Sequence, residues 1–328
     1  MNSISRRIFS IFCAAALLTT STVTHASNTI SDAYIKKISD SYNLDPSWVA
    51  NQASKATLNP EIITKMNTPW EAKPWHKYQT IFLKQERVDQ GLEFWSEHEE
   101  TLAKAEAEFG VPAQVIVAII GVETFFGRFK GNEKVLDSLY TLGFHYPKRA
   151  KFFSSELGHF LALSHEQGWD PAAIHGSYAG AMGFPQFISS SYRAYAIDFD
   201  DDGKRDLLNN PVDAIGSVAN YFAQHGWTKD GCVTESVELT EQAKALSQTS
   251  TKIKHKWQDF EQAGLKTTLP LSAQDKAMLF PLSMDEGLTQ YWLGCNNFYV
   301  ITRYNHSRLY AMAVYQLSEW LARDKAAQ

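Results

Sequence analysis

One segment constrains this 328-residue chain more than any other. From position 111 to 127 it reads VPAQVIVAIIGVETFFG, with Glu123 as its single acid. The length and spacing predict a helix that is apolar on nearly every side, and such a helix has to be enclosed by the rest of the fold. A carboxyl carried into that setting loses hydration, so its ionised form is disfavoured and its pKa rises. A general acid needs that property to protonate a leaving oxygen near neutral pH. Glu123 is therefore the candidate catalytic residue. The segment alone also fits a plainer reading, a buried glutamate satisfied by a helix terminus or by an arginine, with Arg128 within reach in sequence.

The ends of the chain and its charge limit the setting. Residues 1–26 have the layout of a cleaved export signal: Arg6 and Arg7, an apolar run over 8–18, and Thr24-His25-Ala26 before the cut. A lipoprotein anchor at Cys13 is disfavoured, because Phe12 stands where that signal wants a small residue. No later stretch is long and apolar enough to span a bilayer. The expectation is a soluble periplasmic protein. The net charge is −5 and becomes more negative once Arg6 and Arg7 are removed. Clustered basic surface is missing, which argues against nucleic acid. Cys232 and Cys295 remain in the mature chain, and a disulfide or two separate buried thiols fit equally. Aromatic residues make up 13% of the chain; most belong in a core, but the excess hints at flat faces for sugar rings.

Pattern divides the chain into an N-terminal helical domain (27–110), a core (111–231), a small mixed α/β insert (232–290) and a C-terminal return to the core (291–328). Residues 31–65 are predicted helical with a break at 43–46, and 67–77 reads as an irregular connection with Trp70 and Trp75. Helical spacing returns over 86–109 and again over 147–163. Asn210 caps a helix opened by Pro211, with Asp213 in its first turn. Within the insert, 236–239 and 267–271 are short apolar-polar runs. The run 298–302 reads as strand-like, and a final helix covers 310–323.

Three further segments carry chemistry. Residues 176–187, GSYAGAMGFPQF, hold glycines dense enough to bring backbone close to a ligand, with Ser177 and Gln186 to hydrogen-bond and Tyr178, Phe184 and Phe187 as flat faces. Residues 198–209, DFDDDGKRDLLN, match a calcium loop at Asp198, Asp200, Asp202, Lys204 (through its carbonyl) and Asp206, with Gly203 at the turn. Asn209 replaces the bidentate glutamate at the last position, so calcium there would be weakly held and structural; a solvated acidic turn is the alternative. Residues 301–310, ITRYNHSRLY, place many hydrogen-bonding groups at a helix entrance.

Together these segments, in this order, resemble the lytic murein transglycosylases of the B type, from about Tyr78 to the C-terminal helix. The resemblance implies an α+β, mainly α fold: a lysozyme-like catalytic core with a helical domain and a small β-containing insert. It implies cleavage of the β-1,4 bond between N-acetylmuramic acid and N-acetylglucosamine, with closure of a 1,6-anhydro ring. Glu123 then acts first as acid and afterwards as base, with no catalytic cofactor. Ser177, Gln186, Tyr221, Asn305, Tyr310 and Tyr78 match positions lining the family's glycan groove. Pro185, Ser189 and Cys295 depart from the family's usual residues. Peptidoglycan strands are the implied partner of a monomer. A hydrolytic muramidase, a non-catalytic murein-binding protein and a calcium sensor are the competing readings.

Overall fold

Ten of the twelve residues in the helix Ala113–Thr124 are buried, so the remaining elements can be placed by how they enclose it. The computed structural model describes residues 30–68 and 73–328. The expected export signal and Trp70 lie outside the described residues.

Three short helices come first, α1 (Asp32–Tyr42), α2 (Pro46–Ser54) and α3 (Pro60–Met66). They break where expected: Asn43 turns left-handed and the Asp45 side chain accepts from the Trp48 amide ahead of Pro46. Helices α4 (Trp75–Phe82), α5 (Gln85–Glu97) and α6 (Glu99–Phe109) follow. The single helix expected over 86–109 is interrupted at His98, whose φ of −119° and ψ of 27° leave the helical region. Gly110, at φ 70°, ends α6, and Glu106 reaches forward to accept from the Ala113 amide at 2.9 Å. That contact supplies a cap to the next helix, α7 (Ala113–Thr124), which has no capping side chain at its own first position.

Strand β1 (Glu133–Lys134) pairs with β2 (His175–Gly176), bracketing α8 (Val135–His145) and α9 (Ala150–Gln167). The short α10 (Ser189–Tyr195) precedes α11 (Pro211–Gln224). Asn210 caps α11 as predicted, accepting from the Val212 amide at 2.9 Å.

The insert is a four-stranded antiparallel sheet of β3 (Thr234–Val237), β4 (His255–Lys256), β5 (Lys276–Ser283) and β6 (Thr289–Gly294), ordered β3-β6-β5-β4, with α12 (Glu241–Lys244) and α13 (Trp257–Gln262). Alternation along β5 explains how it joins the body. Ala277 and Leu279 enter the insert's small core with Trp257 and Phe260, while Met278, Phe280 and Leu282 enter the main core. The boundary expected at 290/291 falls inside β6. Residues 267–271 form no strand; the hydroxyls of Thr267 and Thr268 instead donate to the Glu235 carboxylate.

Helices α14 (Asn296–Tyr304) and α15 (Arg308–Ala326) complete the chain. The strand-like reading of 298–302 is corrected here: Phe298, Ile301 and Thr302 are buried at helical spacing inside α14. A short β-branched and aromatic run looks the same by periodicity in either state. Cys232 and Cys295 form a disulfide that ties the start of the insert to the residue preceding α14.

Two large cores result. One gathers α4–α7, α11, α14 and α15; the other gathers α1–α3, α8 and α9 with Met182, Phe187 and Leu207. The segment 27–110, expected as one helical domain, is thus shared between them. Glu123 sits where α7 emerges from the first core towards the 176–187 loop of the second.

Candidate active site

The backbone after Glu123 is held in an uncommon shape. Phe125, Phe126 and Gly127 have φ of 52°, 59° and 86°, and bulky residues rarely adopt positive φ unless their surroundings enforce it. Thr124 enforces it. Its hydroxyl accepts from the Gly127 amide at 2.9 Å and lies 3.0 Å from the Phe184 carbonyl, to which it donates. The ring of Phe184 occupies the space a side chain at position 127 would need, with a Cβ there falling 2.1 Å from Phe184. The end of α7 is so locked to the glycine-rich loop.

Glu123 is partly exposed as a residue, yet its carboxyl is enclosed well enough that burial raises its pKa to about 7. Its place in the last turn of α7 adds to this, since the negative end of the helix dipole disfavours another negative charge. One opposing influence acts on it: Tyr310 donates its hydroxyl to Glu123 Oε1 at 2.6 Å, favouring the ionised form. Tyr310 is buried, and burial first, then the neighbouring Glu123, holds its own pKa well above the ordinary tyrosine value. It therefore stays a donor at working pH. Arg128, the salt-bridge partner of the plainer reading, lies instead over the rings of Phe125 and Phe129.

The remaining expected residues fall into two groups. Tyr78 is buried on α4, in the same core as Tyr310. Ser177 Oγ accepts from the amides of Ala179 and Ala181, at 3.3 and 3.0 Å, which shapes the loop. Asn305 follows α14 in extended backbone. By contrast, Gln186, at φ 49°, gives its Nε2 to the carbonyls of Lys130 and Gly183 at 3.0 and 2.9 Å. Tyr221 is buried, donates its hydroxyl to the Arg303 carbonyl at 2.7 Å and stacks on His225. Both side chains thus hold backbone in place, and in Gln186 it is Nε2 that does so. Tyr304 was not singled out from sequence. It donates to the Pro185 carbonyl at 2.6 Å, runs parallel to Tyr310, and its pKa is raised by burial and then by Glu123. The signal was available in the six-residue spacing of two tyrosines across a helix–helix corner.

Replacing Tyr310 by phenylalanine removes the one influence that lowers the Glu123 pKa. The basic limb of the pH–activity profile, where the acid form is lost, is expected to move to higher pH, and kcat to fall about 10–100-fold, the worth of a hydrogen bond to a charged group. A kcat fall with an unmoved limb would assign Tyr310 to ligand contact alone.

In the acidic loop, the carboxylates of Asp198, Asp200 and Asp202 converge within 4.8 Å. Asp206 and Asn209 do not join them: Asn209 Nδ2 donates to Asp206 Oδ2 at 3.1 Å. Buried Asp213 accepts from the amides of Phe199 and Asp206, at 2.8 and 2.7 Å, anchoring both ends of the loop to α11.

Residues 27–319 match the family model described as the transglycosylase SLT domain. The chain is 41% identical over 307 residues to membrane-bound lytic murein transglycosylase B of Escherichia coli (strain K12), covering 90% of this chain and 84% of that protein. Among solved structures, soluble lytic transglycosylase SltB1 from Pseudomonas aeruginosa is 43% identical with a TM-score of 0.84, over 90% of this chain and 99% of that one. The Escherichia coli lytic transglycosylase Slt35 in complex with calcium is 39% identical with a TM-score of 0.81, over 91% and 94%.

Proposed function

This chain belongs to the SLT-domain family of lytic murein transglycosylases, and from that premise we propose that Glu123 alone carries both proton transfers of a peptidoglycan-cleaving reaction. The supporting observation is a carboxyl whose burial sets its pKa near 7 while a tyrosine hydroxyl donates to it at 2.6 Å. Protonated Glu123 gives its proton to the oxygen bridging N-acetylmuramic acid and N-acetylglucosamine. The bond from that oxygen to the muramoyl anomeric carbon breaks, and positive charge develops on that carbon. The muramoyl 6-hydroxyl attacks it and returns a proton to the carboxylate, closing a 1,6-anhydro ring without consuming water. Tyr310 steadies the carboxylate between the two transfers. Retaining and inverting hydrolases need a second carboxylate placed for nucleophile or base work; here the hydrogen-bond partner of the Glu123 carboxyl is the Tyr310 hydroxyl. Ser177, Asn305, Tyr78 and the free oxygen of Gln186 line the groove, with Tyr304 and Tyr221 behind them.

Mass analysis of sacculi digested by the protein tests this reading. Muropeptides lighter than hydrolytic products by one water are expected. Products with free reducing ends would make the protein a hydrolytic muramidase, and binding without release a murein-binding protein.

The setting is proposed to be the periplasm, with the protein acting there as a monomer. Among the described residues no single helix is long and apolar enough to cross a membrane, and the Cys232–Cys295 disulfide fits an oxidising compartment.

Calcium would be held by Asp198, Asp200 and Asp202 with the Lys204 carbonyl, lending the loop rigidity and no chemistry. The three converging carboxylates fit such an ion, and the missing glutamate at Asn209 places it at the weak end of such loops, Kd about 1 mM. Calcium at ~10 mM is then expected to stabilise the protein by about 1.4 kcal/mol, and Asn209→Glu to enlarge the effect. Melting temperatures unmoved by calcium in both proteins would remove the site.

A further inference from the structure

Two adjacent carbonyls of the glycine-rich loop, those of Phe184 and Pro185, are held by hydroxyls from two different helices around Glu123. Thr124, the residue after Glu123 on α7, is 1% exposed and donates to the Phe184 carbonyl at 3.0 Å, closer than the Ile120 carbonyl one turn back at 3.2 Å. Tyr304, the last residue of α14, donates to the Pro185 carbonyl at 2.6 Å, and its ring lies parallel to that of Tyr310 with centres 6.4 Å apart. Tyr310 completes the circuit at the Glu123 carboxyl. The loop between the two hydroxyls is fixed as well. The Phe184 amide donates to the Leu207 carbonyl at 3.0 Å, and Lys130 lies 4.6 Å from the centre of the Phe184 ring while donating to the Leu208 carbonyl at 2.6 Å. Pro185 is buried, and its ring restricts φ.

A hydrogen bond as short as Tyr310–Glu123 tolerates little drift between α7 and α15, because its energy falls steeply with distance and angle. The single hydroxyl of Thr124 limits that drift at the α7 end. Its proton goes to Phe184 and its oxygen accepts from the Gly127 amide at 2.9 Å, so it sets both where α7 ends and how that end sits on the loop. Buried, and with its proton already given to the loop, the hydroxyl is not placed to touch a substrate. We propose that Thr124 is a positioning residue for the proton transfers: its hydroxyl, acting through the Phe184–Pro185 segment, keeps the Glu123 carboxyl in register with Tyr310. Small misplacements of a reacting group are costly, which is why a residue that never meets the sugar can govern turnover. The inference rests on the role proposed above for Glu123, to which it adds the group that holds it in place.

The test is a double-mutant cycle on the full mature chain between Tyr310→Phe and Thr124→Val, which keeps the side chain's shape and removes its hydroxyl. Thr124→Val is expected to lower kcat about tenfold with KM within about twofold, and Thr124→Ser to restore it. In the Tyr310→Phe background the same change should cost less than about twofold, since the contact it protects is already gone. The titration of the Glu123 carboxyl reads the geometry whatever the products are. Its midpoint should move upward in Thr124→Val, as in Tyr310→Phe, and no further in the double variant. Should Thr124→Val fail to fold, Thr124→Ala carries the same cycle. Losses of kcat that multiply in the double variant overturn the proposal, because they mark two unrelated effects. An unmoved or lowered midpoint overturns it too. If the titrations behave as stated but the wild-type protein releases no anhydro ends, the positioning stands and it is the underlying function that has failed.

Discussion

Glu123→Gln is expected to lower turnover of peptidoglycan by at least 10³-fold while the protein stays folded and still binds glycan. General acid catalysis alone contributes about 10²–10⁴-fold, and here the same group is also the base for ring closure, so one substitution removes both transfers. The fold should gain from the change. Folded Glu123 has a pKa of about 7 against 4.5 for a free glutamate. Between these values the folded chain keeps a proton that the unfolded chain has released, so stability falls as pH rises through that window. Below the window the glutamate costs nothing; above it the cost is complete, on the order of 1–3 kcal/mol. Glu123→Gln should therefore melt higher than wild type at pH 8 and close to it at pH 4. Retained activity would place the acid elsewhere, and an equal melting difference at both pH values would remove the argument from burial.

Opening the Cys232–Cys295 bridge should produce the largest loss of stability. The bridge closes a chain segment with a sequence separation of 63, for which loop-closure entropy gives about 4 kcal/mol and common experience 2–4. The insert it ties down has a small core of its own, around Trp257, Phe260 and Leu293, and is otherwise held to the body through Met278, Phe280 and Leu282 of β5. In thermal unfolding this corresponds to a drop of roughly 5–15 °C. Cys232→Ser/Cys295→Ser should show it, and dithiothreitol should reproduce it in wild type but leave the double variant unmoved. Activity should also suffer, because Arg308 at the start of α15 donates to the Pro281 carbonyl on β5 at 2.8 Å, two residues from Tyr310. Equal melting with and without reductant would contradict the assigned role of the bridge.

What could be read in advance was what local chemistry decides. The apolar run around Glu123, the Asn210 and Pro211 helix start, and the glycine-rich turn each carry their cause within a few residues. What escaped depends on distant parts of the chain. His98 breaks a helix that its flanking pattern would continue, and 298–302 became helical because α14 packs Phe298 on Phe280 of β5, a partner invisible from the run itself. The sharing of residues 30–109 between two cores is likewise a matter of which helices dock where. The pairing of two cysteines far apart in the chain could not be derived from their positions. At the site, Gln186 and Tyr221 were expected as ligand contacts from the resemblance. That each also bonds to a backbone carbonyl distant in sequence could not be read from the residues around it.

The carboxyl titration of Glu123 itself bears most directly on this account. A ¹³C-edited NMR titration of glutamate-labelled protein, with the resonance assigned by its absence in Glu123→Gln, should give a midpoint near 7, moving upward in Tyr310→Phe. A midpoint between 4 and 5, unaffected by Tyr310, would mean that the carboxyl is fully hydrated and has no proton to lend at neutral pH.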